Sequence, residues 1–205
     1  MKRNNNIAIR SSILHFLSKD KYEFFDDGLL VVLNGLVAEL GPAQELLKKW
    51  EGVIPIKIET GKILMPGFVD GHVHAVQSGV IASYGTQLLD WLENYTFPYE
   101  TRFKDAEFGR KMANFFFGQL LLNGTTTAAI YSTVHQESIQ AIVEEASRLN
   151  MRIIAGKTNM DTNAPVDLLE DTASTFRVVE QLIEQYHKKD RISYALTPRF
   201  AITST

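Results

Sequence analysis

His72 and His74 stand two positions apart in Phe68-Val-Asp-Gly-His-Val-His74, a stretch that reads as a β-strand. Side chains alternate along a strand, so both imidazoles point to the same side. Two neutral imidazoles one pleat apart can hold a single metal ion. The spacing also suits two histidines hydrogen-bonded to loop backbone, and taken alone it leaves both readings open. Asp70 lies on the same face one step deeper, placed either to orient a ligand or to satisfy local hydrogen bonds. The chain has no cysteine, which excludes thiolate metal sites, cysteine nucleophiles and disulfides.

The elements around this pair change character at Pro66. Before it, residues 7–9, 12–17 and 29–33 are β-prone, with a turn expected at Asp26-Asp27-Gly28. Asn34-Gly35 is a hairpin signal, because both residues tolerate positive φ. Residues 36–40 form the return strand, a short helix is expected over residues 43–50, and strand-like pieces continue to residue 65. This predicts a small antiparallel sheet that needs a covering layer. After Pro66, strands are expected at residues 68–74, 125–131, 152–156 and 192–197. Helices are expected at 106–122, 137–149 and 172–187, the first capped by Asp105. Their apolar stripes are Phe108, Met112, Phe115, Phe116 and Leu120; then Ile139, Ile142, Val143 and Ala146; then Phe176, Val179, Leu182, Ile183 and Tyr186. The order β-α-β-α-β-α-β argues for a parallel sheet with helical crossovers, as a barrel or as a doubly wound sheet. Two long segments, residues 75–104 and 158–171, read as loops leaving the C-terminal ends of strands, where barrel enzymes build their sites.

Composition narrows the class. With 205 residues, 45% of them apolar, the chain can bury one sizeable core or two small ones. The net charge of −3 is spread without a basic block, so nucleic acid is not an expected partner. No apolar run is long enough to span a bilayer. Residues 1–10 lack the apolar core of a signal peptide, and a cytoplasmic address is the default.

Larger motifs carry a resemblance. Lys62-Ile-Leu-Met-Pro-Gly-Phe-Val-Asp-Gly-His-Val-His74 resembles the first barrel strand of the amidohydrolase superfamily, and the segment from Asp27 to Gly41 resembles that superfamily's N-terminal β-sandwich. Tyr84-Gly-Thr-Gln-Leu-Leu-Asp-Trp-Leu-Glu-Asn-Tyr-Thr-Phe-Pro-Tyr-Glu100 is similar to the substrate loop of guanine deaminases. So are Asn123-Gly-Thr-Thr-Thr127, Thr133-Val-His135, residues 156–161 and Leu196-Thr-Pro-Arg-Phe200. The resemblance implies an α/β fold: a small β-sandwich portion over residues 1–65, then the first four β/α units of a TIM-type (β/α)8 barrel over residues 66–205. It also implies a chemistry. Zinc makes hydroxide available near neutral pH, hydroxide attacks the amino-bearing carbon of guanine, and ammonia leaves to give xanthine.

By this resemblance His72 and His74 are zinc ligands, Gln77 contacts the base, and Arg199 and Phe200 form a substrate pair. Arg offers a fork of donors, and Phe offers an aromatic face. Taken without the resemblance, Gln77 reads as a solvated loop residue and Arg199 as a surface cation or a salt-bridge partner. Trp91, Tyr95 and Phe97 fit a loop core or a pocket wall. His135 fits a structural or a functional role, His15 a sheet position, and His187 a solvated helix end. The family's other zinc ligands and its Glu acid/base lie on later strands, so they are expected after Thr205. The chain then reads as the N-terminal part of an enzyme, inactive alone, whose full-length form is a homodimer. The alternatives are an amidohydrolase-type deaminase or chlorohydrolase acting on another aminated heterocycle, and a non-catalytic half-barrel with a structural or binding role. The half-barrel would leave strand edges open to pairing.

Overall fold

The computed structural model describes residues 6–85 and 87–205. Residues 1–5 and Thr86 lie outside the described residues, and with them half of the polar N-terminal stretch and one position of the 84–100 motif. The chain divides into two compact units, Met1–Pro66 and Gly67–Thr205.

In the first unit, β1 (Ile7–Ser18) and β2 (Lys21–Leu33) form one long hairpin. The turn expected at Asp26-Asp27-Gly28 is absent: these residues continue β2, and a register shift opposite Ser11 and Ile13 absorbs the local irregularity. Asn34 and Gly35 do turn the chain, with φ of 53° and 81°, into β3 (Leu36–Pro42). Helix α1 (Ala43–Trp50) crosses over to β4 (Ile56–Leu64), which therefore runs parallel to β1. The sheet has the order β3-β2-β1-β4 and is mixed, not purely antiparallel, because a helical crossover returns the chain in the same direction. Leu46, Leu47 and Trp50 of α1 cover Ala8, Leu29 and Val31, giving one face its core. A second sheet that would complete a sandwich is not among the described residues.

The second unit holds a parallel sheet of order β5-β6-β7-β9, built from β5 (Phe68–His74), β6 (Thr125–Tyr131), β7 (Arg152–Gly156) and β9 (Ile192–Tyr194). Helices α4 (Ala106–Leu122), α5 (Gln136–Leu149) and α6 (Thr172–Tyr186) fill the three crossovers. Space order follows chain order without the reversal that marks a doubly wound sheet. Asp105 caps α4 by accepting from the Glu107 amide at 2.9 Å, and Asp171 caps α6 by accepting from the Ser174 amide at 2.8 Å. Ile130, Ile139, Ile142, Ile153, Val179 and Leu182 form the core between strands and helices.

The stripe expected on α4 is rotated. Gly109, Ala113, Phe116 and Phe117 are buried, while Phe115 is exposed. This helix is apolar around most of its circumference, so periodicity does not choose a face; small residues do, by letting α5 approach. On α6, Val179 and Leu182 are buried but Phe176 is 65% exposed.

Residues 75–104 are not an open loop. They contain a 3-10 turn (Ala75–Gln77), α2 (Leu88–Trp91), a π turn (Leu92–Thr96), α3 (Phe97–Glu100) and a second 3-10 turn (Thr101–Lys104). The strand expected at residues 192–197 ends at Tyr194. A separate short strand, β10 (Thr197–Pro198), pairs with another, β8 (Thr158–Asn159), beyond the end of β7. Among the described residues no helix is long and apolar enough to cross a membrane.

Candidate active site at the strand ends

His72 and His74 close β5, and their Nε2 atoms lie 3.3 Å apart. Tyr131, at the end of the neighbouring β6, stacks on His74 with centroids 4.7 Å apart and ring planes 10° apart, and it also contacts His72. Asp70 does not reach the imidazoles. Its Oδ1 accepts from the backbone amide of His72 at 3.0 Å, so it shapes the strand end rather than a ring. Burial, then Arg199 and His72, pull the His74 pKa down to about 4. At neutral pH its ring is therefore uncharged, the form that binds metals.

The 3-10 turn directly after β5 carries Gln77 back over the strand end. Its Nε2 lies 3.2 Å from His74 Nδ1 and donates to Glu100 Oε1 at 3.1 Å. The other carboxylate oxygen of Glu100 accepts from Arg199 Nη1 at 2.6 Å. Both side chains of this ion pair are buried, Arg199 at 4% exposure and Glu100 at 0%. Arg199 also lies over the Phe97 ring, 5.6 Å from its centroid. One short helix, α3, thus grips the guanidinium from two sides, with a carboxylate and an aromatic face.

Four of the five residues singled out from the sequence therefore meet in one connected chain: His72, His74, Gln77 and Arg199. Phe200 is set apart. It packs against a satellite core of Leu92, Phe97, Val134, Met160 and Leu168. Trp91 joins that core and donates its indole N–H to Ser83 Oγ at 2.9 Å. Phe97 and Trp91 are thus a local core, whereas Tyr95 is largely exposed. His135 sits at the N-terminus of α5 with its Nε2 buried and unpartnered among the described residues. His187 ends α6 and accepts from the Tyr194 amide at 3.2 Å. His15 is a β1 residue paired with Glu23.

Two site residues escape a reading of the sequence, Glu100 and Tyr131. Glu100 ends a motif and Tyr131 ends a strand, without any local pattern that marks either as special. A further pair, buried Lys157 and partly exposed Glu170, has both carboxylate oxygens 2.6 Å from the ammonium and ties the segment after β7 down against the strand end.

Residues 63–205 match the family model described as "Amidohydrolase family". The chain belongs to the amidohydrolase family. Within this family it is 47% identical over 182 residues to the guanine deaminase of Escherichia coli strain K12, an alignment that covers 89% of this chain and 42% of that protein. The solved structure of E. coli guanine deaminase superposes with a TM-score of 0.93 at 43% identity, over 97% of this chain and 48% of that one. A guanine deaminase from C. acetobutylicum, solved with guanine bound in its active site, superposes with a TM-score of 0.87 at 28% identity, over 98% and 48%. The zinc complex of atrazine chlorohydrolase TrzN from Arthrobacter aurescens TC1 has a TM-score of 0.81 at 20% identity, over 97% and 48%, a likeness that shows the fold alone. This amidohydrolase chain spans about half the length of the curated relatives it matches.

Two Zn–N bonds of about 2.0–2.1 Å at a tetrahedral angle set their nitrogens about 3.3–3.4 Å apart. The 3.3 Å between the two Nε2 atoms, together with the uncharged His74 ring, fits a pair of ligands on one such ion. Among the described residues no group of three or more His, Cys, Asp or Glu converges as a complete metal site.

Proposed function

We propose that this chain supplies the first part of the active site of a zinc-dependent guanine deaminase, and that the whole enzyme converts guanine and water to xanthine and ammonia. The observation that carries this reading is the convergence of His72, His74, Gln77 and Arg199, the last through Glu100, in one chain of side-chain contacts at the strand ends. On this reading β5, β6, β7 and β9 are the first four strands of a (β/α)8 barrel, and the whole enzyme is a homodimer.

The roles follow from the chemistry of each group. His72 and His74 would hold the zinc ion, which when bound would supply Lewis acidity and make water a nucleophile near neutral pH. Tyr131, stacked on His74, restricts rotation of that ring. Gln77 and Arg199 bind the polar edge of the purine, and Phe200 walls the pocket from its satellite core. A catalytic zinc takes three or more protein ligands, so the reaction also requires a third ligand and a proton-carrying carboxylate that these residues do not provide.

A fusion experiment tests this. The 205-residue chain is assayed with zinc and guanine, alone and joined to the part of the E. coli relative that the alignment leaves uncovered. The chain alone should release no ammonia above a zinc blank. The fusion should make xanthine and ammonia, lose activity to a chelator, and act on adenine, cytosine and triazines more slowly. Preference for any other ring would overturn the substrate. Turnover by the chain alone would overturn the need for further groups.

A further inference from the structure

Glu100 is completely buried, comes from an element with no other polar role in the site, and bonds two of the residues assigned to substrate. A carboxylate only accepts hydrogen bonds, so the Gln77 atom 3.1 Å from it must be the amide nitrogen. The amide oxygen of Gln77 then turns the other way, and it has no hydrogen-bond partner among the described residues. The Arg199 guanidinium donates a hydrogen bond through Nη1 alone among the described residues, which leaves Nη2 and Nε free to donate. One carboxylate thus ties both residues, Gln77 through Oε1 and Arg199 through Oε2.

We infer that Glu100 is a positioning residue that sets the hydrogen-bond polarity of the base site: an acceptor from Gln77 beside donors from Arg199. This rests on the guanine reading above and extends it to how the base is chosen. The complement of an acceptor beside a donor is a lactam, a ring N–H next to a carbonyl. Guanine and hypoxanthine present that edge. Adenine presents the reverse, an unprotonated ring nitrogen next to an amino group. Without the carboxylate, Gln77 can rotate to present its NH2 and the preference is lost. A site built on fixed hydrogen-bonding groups rejects a mismatched partner strongly, since its buried polar atoms would otherwise go unpaired.

The test uses the 205-residue chain as wild type, Glu100→Gln and Glu100→Asp. Equilibrium dialysis measures binding of hypoxanthine and adenine, the side-chain amide signals of Gln77 are followed by NMR, and melting curves check folding. The wild type should favour hypoxanthine by at least about tenfold, with slow solvent exchange of the Gln77 amide protons. Glu100→Gln should lose most of that preference, chiefly by binding hypoxanthine less well, and its Gln77 protons should exchange faster. Glu100→Asp keeps the charge on a shorter arm and should fall between the two. If Glu100→Gln proves too unstable to assay, Glu100→Asp with the wild-type preference and wild-type exchange overturns the inference. A wild-type preference that survives in Glu100→Gln overturns it while leaving the guanine reading standing. A wild type that does not favour the lactam overturns the guanine reading, and the inference with it.

Discussion

Glu100 Oε2 and Arg199 Nη1 lie 2.6 Å apart although 99 positions separate them in the chain. The contact joins the segment that follows the first parallel strand to the segment that follows the last. A buried ion pair of this kind often gains little over an apolar pair of equal volume, but removing one partner strands a charge in the interior. Arg199→Met should therefore cost about 3–5 kcal/mol in urea unfolding. The double variant Glu100→Leu with Arg199→Met should recover more than half of that loss. Additive costs in the double-mutant cycle would show that the two side chains do not act as a unit.

The histidine pair leads to a metal prediction of its own. Two imidazoles, with no third ligand converging on them among the described residues, make a site of low affinity, since structural and catalytic zinc sites use three or four protein ligands. Zinc titrated calorimetrically into the chain should bind at one site, with a Kd in the micromolar range or weaker. His72→Ala and His74→Ala should each remove the isotherm, because one imidazole alone does not compete with buffer. Tight binding that persists in either variant would place the ion elsewhere.

The strand ends were legible because they repeat local rules. Alternation placed His72 and His74 together, and β-branched runs between capped helices fixed the parallel order. Asp105 marked its helix start by residue type alone. Other features failed where local rules conflict or are silent. Residues 26–28 look like a turn, yet pairing along the whole of β1 holds them in a strand. Helix α4 offers too many apolar positions for periodicity to choose among, and packing of Gly109 and Ala113 decides. Glu100 was invisible as a site residue because its meaning depends on Arg199, a contact that no window of neighbouring residues contains. The segment 75–104 looked irregular because its helical pieces are each only a turn or so long.

His135 carries a prediction about acid. Burial is the main cause that lowers its pKa below the ordinary 6.5, with Lys104 and Lys157 adding to it and Glu137 and Asp167 opposing. Where the folded value lies below the unfolded one, the unfolded chain takes up the proton first. Stability is then complete above about pH 6.5, declines as pH falls below it, and levels off once pH passes the lower folded value. His135→Gln removes the titration. The stability difference between wild type and this variant, followed by denaturant titration from pH 8 to pH 4, should shift against the wild type as pH falls. A constant difference across that range would show that His135 has the same pKa folded and unfolded.

Gly156 closes β7 directly under the site, and a Cβ built there would lie 2.0 Å from the Ala195 carbonyl oxygen and 2.8 Å from Thr197 Oγ1. The nearer obstacle is backbone, so no rotamer change relieves it. The carbonyl of Gly156 also accepts from Ser132 Oγ at 2.9 Å, so a shift here loosens the link to the end of β6. Overpacked interiors lose roughly 1–3 kcal/mol, and Gly156→Ala should reach at least the upper part of that range. Gly118 is the control. It lies inside α4 with nothing within 4 Å of a built Cβ, so alanine meets no neighbour there. Removing the backbone freedom of a mid-helix glycine should stabilise the chain by about 0.5–1 kcal/mol. Urea unfolding of both variants gives the comparison. Equal effects of the two substitutions would mean that the close approach of Ala195 and Thr197 to Gly156 does not exist in solution.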